Sequence, residues 1–186
     1  MLKTLGERKA RRRIAISLCA SLSAQARDHV FFATYGVSDT MDGRFDVLVL
    51  HAWMVLEALG FQGEQELAQS LVDVVFVRLD EALREQGAGD MGMSRRIKKM
   101  ASAFYGRLRA YDEARNETEL GAALIRNLYR GDTSHIEQAS QLAKYVIAAR
   151  ARLGHSRLAD GEAEFGSVPA LIEINGDDHD TPRTLH

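Results

Sequence analysis

The sequence has few of the residues that interrupt helices or cross-link a chain. Its 186 residues include two prolines, Pro169 and Pro182, and a single cysteine, Cys19. One cysteine excludes an internal disulfide and any zinc site built on several cysteines. Because no proline precedes Pro169, the chain lacks the punctuation that is typical of β-rich proteins. Together with 46% apolar residues, this predicts an all-α, single-domain bundle of about six helices.

Long apolar runs are also missing, since no segment approaches the roughly 18 residues of a membrane-spanning helix. The start of the chain is similar to an export signal, because three arginines precede an apolar stretch over residues 14–22. The apolar side chains nevertheless repeat at helical spacing, at Ile14, Leu18, Leu22 and Ala26. We therefore expect a first helix of the domain that reaches about residue 33 with a bend near residue 28, and not a cleaved signal.

Opposite charges are segregated along the chain, although the net charge is only −2. Residues 1–13 contain six lysines or arginines and one acid, and residues 84–109 contain seven and two. Residues 155–186 reverse the balance, with two basic and seven acidic residues. The basic blocks favour an anionic partner, whereas the last block is typical of a poorly ordered acidic tail. We therefore divide the chain into a helical domain, residues 1–154, and a tail, residues 155–186.

Capping residues and glycines predict the ends of the helices. The second helix is expected over residues 42–59, capped by Ser38 or Asp39 and ended by Gly60. The third is expected over residues 64–85. Further helices are predicted over residues 94–114, 118–129 and 134–154, capped by Ser94, Thr118 and Ser134. Residues 87–93, which contain three glycines, are predicted to form a loop.

A turn rich in charged residues precedes the second helix. It contains Asp39, Asp42, Gly43 and Arg44, and the spacing of its two acids does not match a calcium-binding EF-hand loop. Asp39 and Asp42 are instead expected to meet the amide groups and the positive dipole at the start of the helix. Gly43 leaves room beside Arg44, so we expect Arg44 to fold back and pair with Asp39.

The second helix is apolar on nearly all sides. Phe45 opens its apolar stripe, and His51 is the only polar side chain in residues 47–56. Such a helix is either central to a bundle or presents one face to a partner. His51 is interpreted as a core histidine with a polar neighbour. The enzyme alternative groups His51 with Asp39 and Arg44, and it requires one concave pocket that holds all three side chains.

The fourth helix carries a basic face. Residues 94–111 contain no acid, whereas a merely soluble face usually mixes both signs of charge. One side of the helix is apolar, as expected for the core. The opposite side consists of Arg95, Lys98, Lys99, Ser102, Gly106 and Arg109. We interpret this side as a docking face for a polyanion, with ribosomal RNA and anionic lipid headgroups as the candidates.

Motifs of the common enzyme classes are missing. The sequence has no nucleophile elbow, no P-loop and no H-E-x-x-H motif. We therefore predict a protein that is not an enzyme, that holds no metal or cofactor, and that has no small-molecule substrate.

Three groups of motifs cover much of the chain. They are Gln25-Ala26-Arg27, Tyr35-Gly36-Val37, Asp39-Thr40-x-Asp42-Gly43-Arg44-Phe45 and Leu50-His51; Leu83-Arg84-Glu85-x-Gly87-x-Gly89-Asp90-Met91-Gly92; and Arg95-Arg96-x-Lys98-Lys99-Met100, Ala103-Phe104-Tyr105-Gly106-Arg107 and Ala110-Tyr111. Their combination is far more specific than any single motif. Over roughly residues 20–150, the chain resembles the ubiquinol–cytochrome c chaperone family.

The resemblance implies an all-helical, non-enzymatic assembly factor for cytochrome b of respiratory complex III. Mitochondrial members act with a small partner protein, bind near the ribosomal tunnel exit and hold newly made cytochrome b. The lack of an evident mitochondrial presequence favours a bacterial member that is cytoplasmic or peripheral at the inner membrane, and not secreted. The implied partners are a hydrophobic membrane-protein client such as cytochrome b, the ribosome or an anionic membrane, and a small protein.

The resemblance also gives the two unusual segments a role. The turn and the second helix, with Asp39, Asp42, Arg44, Phe45 and His51, become a structural corner and a client-binding helix, and the basic face becomes a docking face. The alternative is a small helical RNA-binding or regulatory protein, which would bind a defined RNA with a steep salt dependence.

Overall fold

The computed structural model describes residues 2–85 and 90–169, with side chains described for residues 6–85 and 95–169. Seven α-helices are α1 (Leu2–Ala26), α2 (Val30–Ala33), α3 (Met41–Phe61), α4 (Gln65–Glu85), α5 (Asp90–Asp112), α6 (Glu117–Leu128) and α7 (Ile136–His155). Two 3₁₀ turns lie at Thr133–His135 and Leu158–Asp160, and these described ranges contain no β-strand. α2 is a single turn, so six long helices remain. The predicted all-α bundle of about six helices is therefore confirmed.

α3 is the central helix of the bundle. It contacts α1, α4, α5, α6 and α7, and it buries large side chains on several sides, including Leu50, Trp53 and Met54. Burying one such side chain contributes about 1.5–3 kcal/mol to folding. Of the two interpretations of a helix that is apolar all round, the central position is therefore the one that the structure shows.

α1 packs along α3 and α4. Leu18 of its predicted apolar face is fully buried, and Cys19 is 4% exposed. Burial raises the pKa of the Cys19 thiol, which is therefore protonated at neutral pH. The helix ends at Ala26, earlier than predicted, and the Asp28 carboxylate accepts a hydrogen bond from the Val30 amide at 3.0 Å where α2 begins.

The ends of α3 differ from the predicted ones. Thr40, and not Ser38 or Asp39, is the N-cap. Gly60 lies inside the helix, and the left-handed residue that follows is Gly63, with a φ of +78°. Serine, threonine and aspartate can all cap a helix, so the residue types alone did not distinguish the three candidates.

α6 and the 3₁₀ turn that leads into α7 are each capped two residues before the predicted position. Asn116 replaces Thr118 as the cap of α6, and its Oδ1 accepts a hydrogen bond from the Glu119 amide at 2.9 Å. Asp132 replaces Ser134 before α7, and its Oδ1 accepts from the Ser134 amide at 2.9 Å. Thr118 therefore lies inside α6, whereas Ser134 lies in the 3₁₀ turn that precedes α7, whose own N-cap His135 makes no side-chain capping bond.

The start of α5 corrects a predicted loop. The helix begins at Asp90, so Ser94 lies inside it and does not cap it. Residues 90–93, which were assigned to a glycine-rich loop, are helical. The remaining part of that loop, residues 87–89, lies outside the described residues.

Residues 156–169, here called the strap, pack on the bundle although the sequence places them in the tail. The strap contains the second 3₁₀ turn, and its side chains Leu158, Phe165 and Val168 are buried. The folded domain therefore continues past the predicted boundary at residue 154. The rest of the predicted tail, residues 170–186, lies outside the described residues.

Hydrogen bonds join the strap to α1 at the other end of the chain. The Ser17 hydroxyl donates to the Gly161 carbonyl at 3.2 Å, and the Gln25 side-chain amide donates to the Gly166 carbonyl at 3.1 Å. Gly161 has a φ of +87° and lies so close to Ser17 that a Cβ atom on it would be 3.0 Å from the serine Cβ. Glycine suits both the backbone conformation and the close approach.

Candidate functional site

The turn before α3 is built around a glycine. The Thr40 hydroxyl accepts a hydrogen bond from the Gly43 amide at 3.2 Å, which caps the helix. A Cβ atom on Gly43 would lie 1.9 Å from the carbonyl oxygen of Ser38, so another residue would force the backbone to move. Gly43 therefore makes room for the Ser38 carbonyl, and not for Arg44 as the sequence suggested.

Arg44 folds back onto Asp39, as their proximity in the sequence predicted. Its Nε and Nη2 donate to the two carboxylate oxygens of Asp39 at 2.6 and 3.2 Å. These charge-assisted bonds lower the pKa of Asp39. The guanidinium also lies 5.8 Å from the centre of the Phe32 ring. Asp42 stands in the first turn of α3 with its side chain 87% exposed, 4.0 Å from Arg130.

His51 is sealed in the core. The Val47 carbonyl can only accept a hydrogen bond, so His51 Nδ1 carries the proton and donates to it at 2.8 Å. The other ring nitrogen, Nε2, accepts from the Tyr145 hydroxyl at 3.1 Å. Phe31 and Phe165 pack edge-on against the imidazole, with ring centres at 5.1 and 5.2 Å. Both nitrogens of a fully buried ring are therefore satisfied by neutral partners.

This environment argues against a catalytic role for His51. Burial lowers the pKa of His51 to about 4, although the hydrogen bond to Val47 acts in the opposite direction. The imidazole is therefore neutral near pH 7. Asp39 and Arg44 face an open groove, whereas His51 is fully buried. The structure does not bring these three side chains into one pocket, so the catalytic grouping considered from the sequence is wrong.

Asp46 is a second buried polar residue of α3, and no sequence pattern singled it out. Its side chain is 1% exposed and lies 2.6 Å from Arg107 of α5 and 2.8 Å from Arg130, which follows α6. Burial raises the pKa of Asp46 to about 6, although both arginines favour the charged form. Arg130 has a left-handed backbone, with a φ of 56°, which is uncommon outside glycine. Asp46 thus ties α3 to two other parts of the chain.

A wide groove opens beside the turn, between α1, α2, α3, α4 and α5. Its volume is about 960 Å³, and Asp39, Arg44 and Phe45 contribute to its lining. Its apolar wall includes Phe32, Met41, Leu48, Leu79, Leu83 and Met100. Arg27 adds positive charge to the same lining, whereas Arg78 is paired with Glu81 at 3.1 Å. The wide groove therefore combines an apolar wall with basic side chains.

A second cavity, here called the basic pocket, continues from the wide groove. It has a volume of about 400 Å³ and shares Met41, Phe45, Leu83 and Met100 with the wide groove. Its charged lining consists of Arg96, Lys99, Arg107, Arg130, Asp42 and Asp46. Phe45 connects the two cavities because it lines both of them. Its side chain is 7% exposed, and the centre of its ring lies 5.5 Å from the Arg107 guanidinium. Four cations against two acids leave this pocket positively charged.

The basic face predicted on α5 is exposed. Its members Arg95, Lys98, Lys99, Gly106 and Arg109 are all accessible to solvent, and Lys99 also lines the basic pocket. A Cβ atom on Gly106 would meet nothing within 4 Å, so the backbone is open here. Arg109 Nε donates to Glu113 at 2.8 Å. An acid just beyond residues 94–111 therefore neutralises one end of the face.

Neither a metal centre nor a membrane span is found in the part of the chain that the structure describes. Residues 6–85 and 95–169, whose side chains are described, contain no group of three or more His, Cys, Asp or Glu side chains that could hold a metal ion. Within residues 2–85 and 90–169, no helix has the length and apolar character needed to cross a bilayer.

Fold and cavities together define an all-helical protein with a wide groove that has an apolar wall and basic side chains. A sequence profile described as "Ubiquinol-cytochrome C chaperone" matches residues 33–161. This match covers more than half of the chain. The chain belongs to the ubiquinol–cytochrome c chaperone family, as its motifs predicted.

Two relatives illustrate the family. A crystal structure of the Cbp3 homolog from Brucella abortus superposes with a TM-score of 0.75 and is 35% identical, covering 90% of this chain and 98% of that one. Ubiquinol-cytochrome-c reductase complex assembly factor 1 of Xenopus laevis is 25% identical over 120 residues, which is 62% of this chain. The chain spans 60% of the length of that Xenopus relative.

Proposed function

We propose that this protein is a non-enzymatic assembly chaperone for the cytochrome bc1 complex, respiratory complex III, and that cytochrome b is its client. The family match over residues 33–161 carries the proposal. The Xenopus relative, which is described as an assembly factor of the same reductase complex, supports it. We place the chaperone at the cytoplasmic side of the inner membrane, where it meets its client during or soon after synthesis.

The wide groove is the proposed client site. A newly made membrane protein exposes apolar segments that must be shielded from water until they enter the bilayer. Met41 and Met100 lie where the wide groove meets the basic pocket, and flexible methionine side chains adapt to apolar surfaces of differing shape. The arginines of the same groove suit the polar flanks of such a segment. The proposed role of α3 is therefore to supply the corner and one wall of this site.

The client site is tested by comparing the two ends of α3. Met41, in the wide groove, is 39% exposed, and Phe61, at the far end, is 83% exposed. We expect Met41→Glu to reduce the recovery of cytochrome b with the purified chaperone and the level of complex III in membranes. Phe61→Glu is the matched control and should change neither. If Phe61→Glu causes the greater loss, the client binds elsewhere.

We further propose that the basic face of α5 docks the chaperone on the ribosome or on an anionic membrane surface. Both surfaces present phosphates, and phosphate contacts need cations without base readout. Arg95 and Lys98 are exposed, and neither makes an ion pair within the described residues. Gly106 leaves the backbone open between them and Arg109.

Charge reversal tests this docking. We expect Arg95→Glu/Lys98→Glu to lower co-sedimentation with ribosomes or co-flotation with anionic vesicles, and the assay that responds identifies the surface. Lys144→Glu, an exposed lysine of α7, is the control. Unchanged behaviour in both assays would refute the docking face but leave the client site standing. A variant that instead loses only a defined RNA would favour the RNA-binding alternative.

A further inference from the structure

The cavities around the start of α3 form one continuous surface. A small pocket of about 250 Å³ is lined by Gly36, Tyr129 and His135, and it shares Asp42 and Arg130 with the basic pocket. The basic pocket in turn shares its apolar lining with the wide groove. A segment of extended chain can therefore pass from the small pocket into the other two cavities without crossing the core.

This surface has positive charge that the described residues do not neutralise. Asp46 is already paired with Arg107 and Arg130. Arg96 and Lys99 are exposed in the basic pocket, and neither has an ion-pair partner among the residues that the structure describes. An acidic segment beside the apolar wall would supply the missing charge.

The described chain ends beside this surface. The carbonyl oxygen of Pro169 accepts a hydrogen bond from the Tyr35 hydroxyl at 2.9 Å. Tyr35 stands between Ala33, which lines the wide groove, and Gly36, which lines the small pocket. The Tyr129 hydroxyl fixes the same segment, since it donates to the Tyr35 carbonyl at 2.9 Å. The last described residue of the strap is therefore bonded to a side chain whose sequence neighbours line two of the cavities.

The sequence after Pro169 complements the surface. Residues 170–186 read ALIEINGDDHDTPRTLH, with apolar side chains at 171, 172 and 174 and acids at 173, 177, 178 and 180. Arg183 is the only lysine or arginine in this segment. An extended chain spans about 3.3 Å per residue, so Asp177 and Asp180 can lie as far as roughly 26 and 36 Å from Pro169. The segment is long enough to follow the surface from the small pocket onward.

We propose that residues 170–186 dock in cis on this surface, with their acids against Arg96 and Lys99 and their apolar residues on the wall of the wide groove. The tail of one molecule thus occupies its own groove in the absence of a client. Where the tail lies does not depend on what the protein chaperones. Its consequence, that a client must displace the tail, rests on the proposed function.

Zero-length carbodiimide cross-linking of the full chain tests the contact, because it joins only carboxylates and amines that touch. The sequence has few lysines, and Lys99 lies in the basic pocket whereas Lys144 is exposed on α7. We expect links from the tail acids to Lys99 within one molecule, several-fold more abundant than links to Lys144. Arg96→Gln, which keeps every reactive group, should reduce the Lys99 links, as should high salt.

A second measurement reports on the surface and does not need the cross-linker. Met41 and Met100 line the wide groove and the basic pocket, whereas Met54 is fully buried. In methyl spectra of the full chain, we expect Asp177→Asn/Asp178→Asn/Asp180→Asn to shift the Met41 and Met100 signals and to leave Met54 unchanged. The same variant should bind cytochrome b more tightly if the wide groove is the client site.

Three results would overturn the proposal. Equal links to Lys99 and Lys144 would mean that the tail has no preferred site. Links that form only between two molecules would assign the surface to the tail of a second copy. Unmoved Met41 and Met100 signals would show that the tail leaves the surface open. An unchanged client affinity together with the expected links and shifts would refute only the client site.

Discussion

Two buried polar residues on α3, His51 and Asp46, have opposite environments. His51 is enclosed by aromatic rings and bonded to neutral partners. Asp46 faces two arginines, and one of these, Arg130, has a side chain that is 54% exposed. The partners of His51 lie inside the protein, whereas Asp46 and its two arginines line the basic pocket. Burial alone therefore does not indicate a functional residue. A buried group is a better candidate when its partners reach the surface, as Arg130 does for Asp46.

The comparison also separates architecture from binding surface. His51, in the middle of α3, is covered by Phe165 of the strap and is fully buried. The Asp46 end lies in the wall shared by α3 and α5. A perturbation at Asp46 should therefore reach the cavities, and one at His51 should be felt mainly in stability.

The largest expected effect is the loss of Asp46. Asp46→Ala leaves Arg107, whose side chain is 13% exposed, without its buried partner. Removing one member of a buried pair typically costs about 3–5 kcal/mol of unfolding free energy, which urea unfolding can measure. Asp39→Ala breaks an exposed pair with Arg44, and we expect a much smaller change. Similar losses in the two variants would remove the distinction drawn between these ion pairs.

The two residues should also respond to pH with opposite signs. The pKa of His51 is lowered to about 4, so the unfolded chain takes up this proton first and stability falls as pH drops from 6.5 to 4. The pKa of Asp46 is raised to about 6, so the folded chain takes up this proton first and stability rises as pH drops from 6 to 3.8. Each contribution is about 3 kcal/mol, and in the wild type they largely offset each other.

Single substitutions separate these contributions. Between pH 6.5 and 4, Asp46→Asn should lose stability on acidification and His51→Gln should gain it, each relative to its own value at pH 6.5. Urea unfolding across this range measures both slopes. Slopes of the same sign in the two variants would contradict the assignment of one residue as a buried neutral base and the other as a buried acid.

A smaller effect is expected at the turn that supports the Asp46 end. Gly43→Ala forces a Cβ atom against the Ser38 carbonyl, and such overpacking costs about 1–3 kcal/mol. Gly106→Ala is the matched control in α5, where the added carbon meets open space. Since alanine favours a helix over glycine by about 1 kcal/mol, this control should be slightly more stable than the wild type. A tolerated Gly43→Ala would show that the turn is not tightly fixed.

The sequence predicted the fold better than it predicted the contacts. The scarcity of proline and the apolar residues of α3 were sufficient for an all-α bundle with a central helix. Three of the predicted caps were displaced by one or two positions because several capping residues stand close together, as at residues 38–40, whereas α5 begins four residues before Ser94. The burial of Phe165 and Val168 in the strap was not predicted, because their segment has no helical period and lies among acids and glycines.

The residues around the basic pocket show why the candidate site could be predicted only in part. His51 stood out because it interrupts an apolar run, but Asp46 lies one residue before that run and was not considered. Its partners, Arg107 and Arg130, come from distant parts of the chain, and no local pattern connects them. The basic face of α5 followed from helical spacing alone. That Lys99 also lines a pocket depends on α3 and α4, which only the fold brings together.

The strap also constrains the order of events during synthesis. It joins residues near the start of the chain to residues made more than a hundred positions later, since Ser17 bonds to Gly161 and Gln25 to Gly166. α1 therefore cannot complete its contacts until residues 161–166 have been made. The first helix can pack on α3 and α4 before that point, but its contacts with the strap are among the last to form.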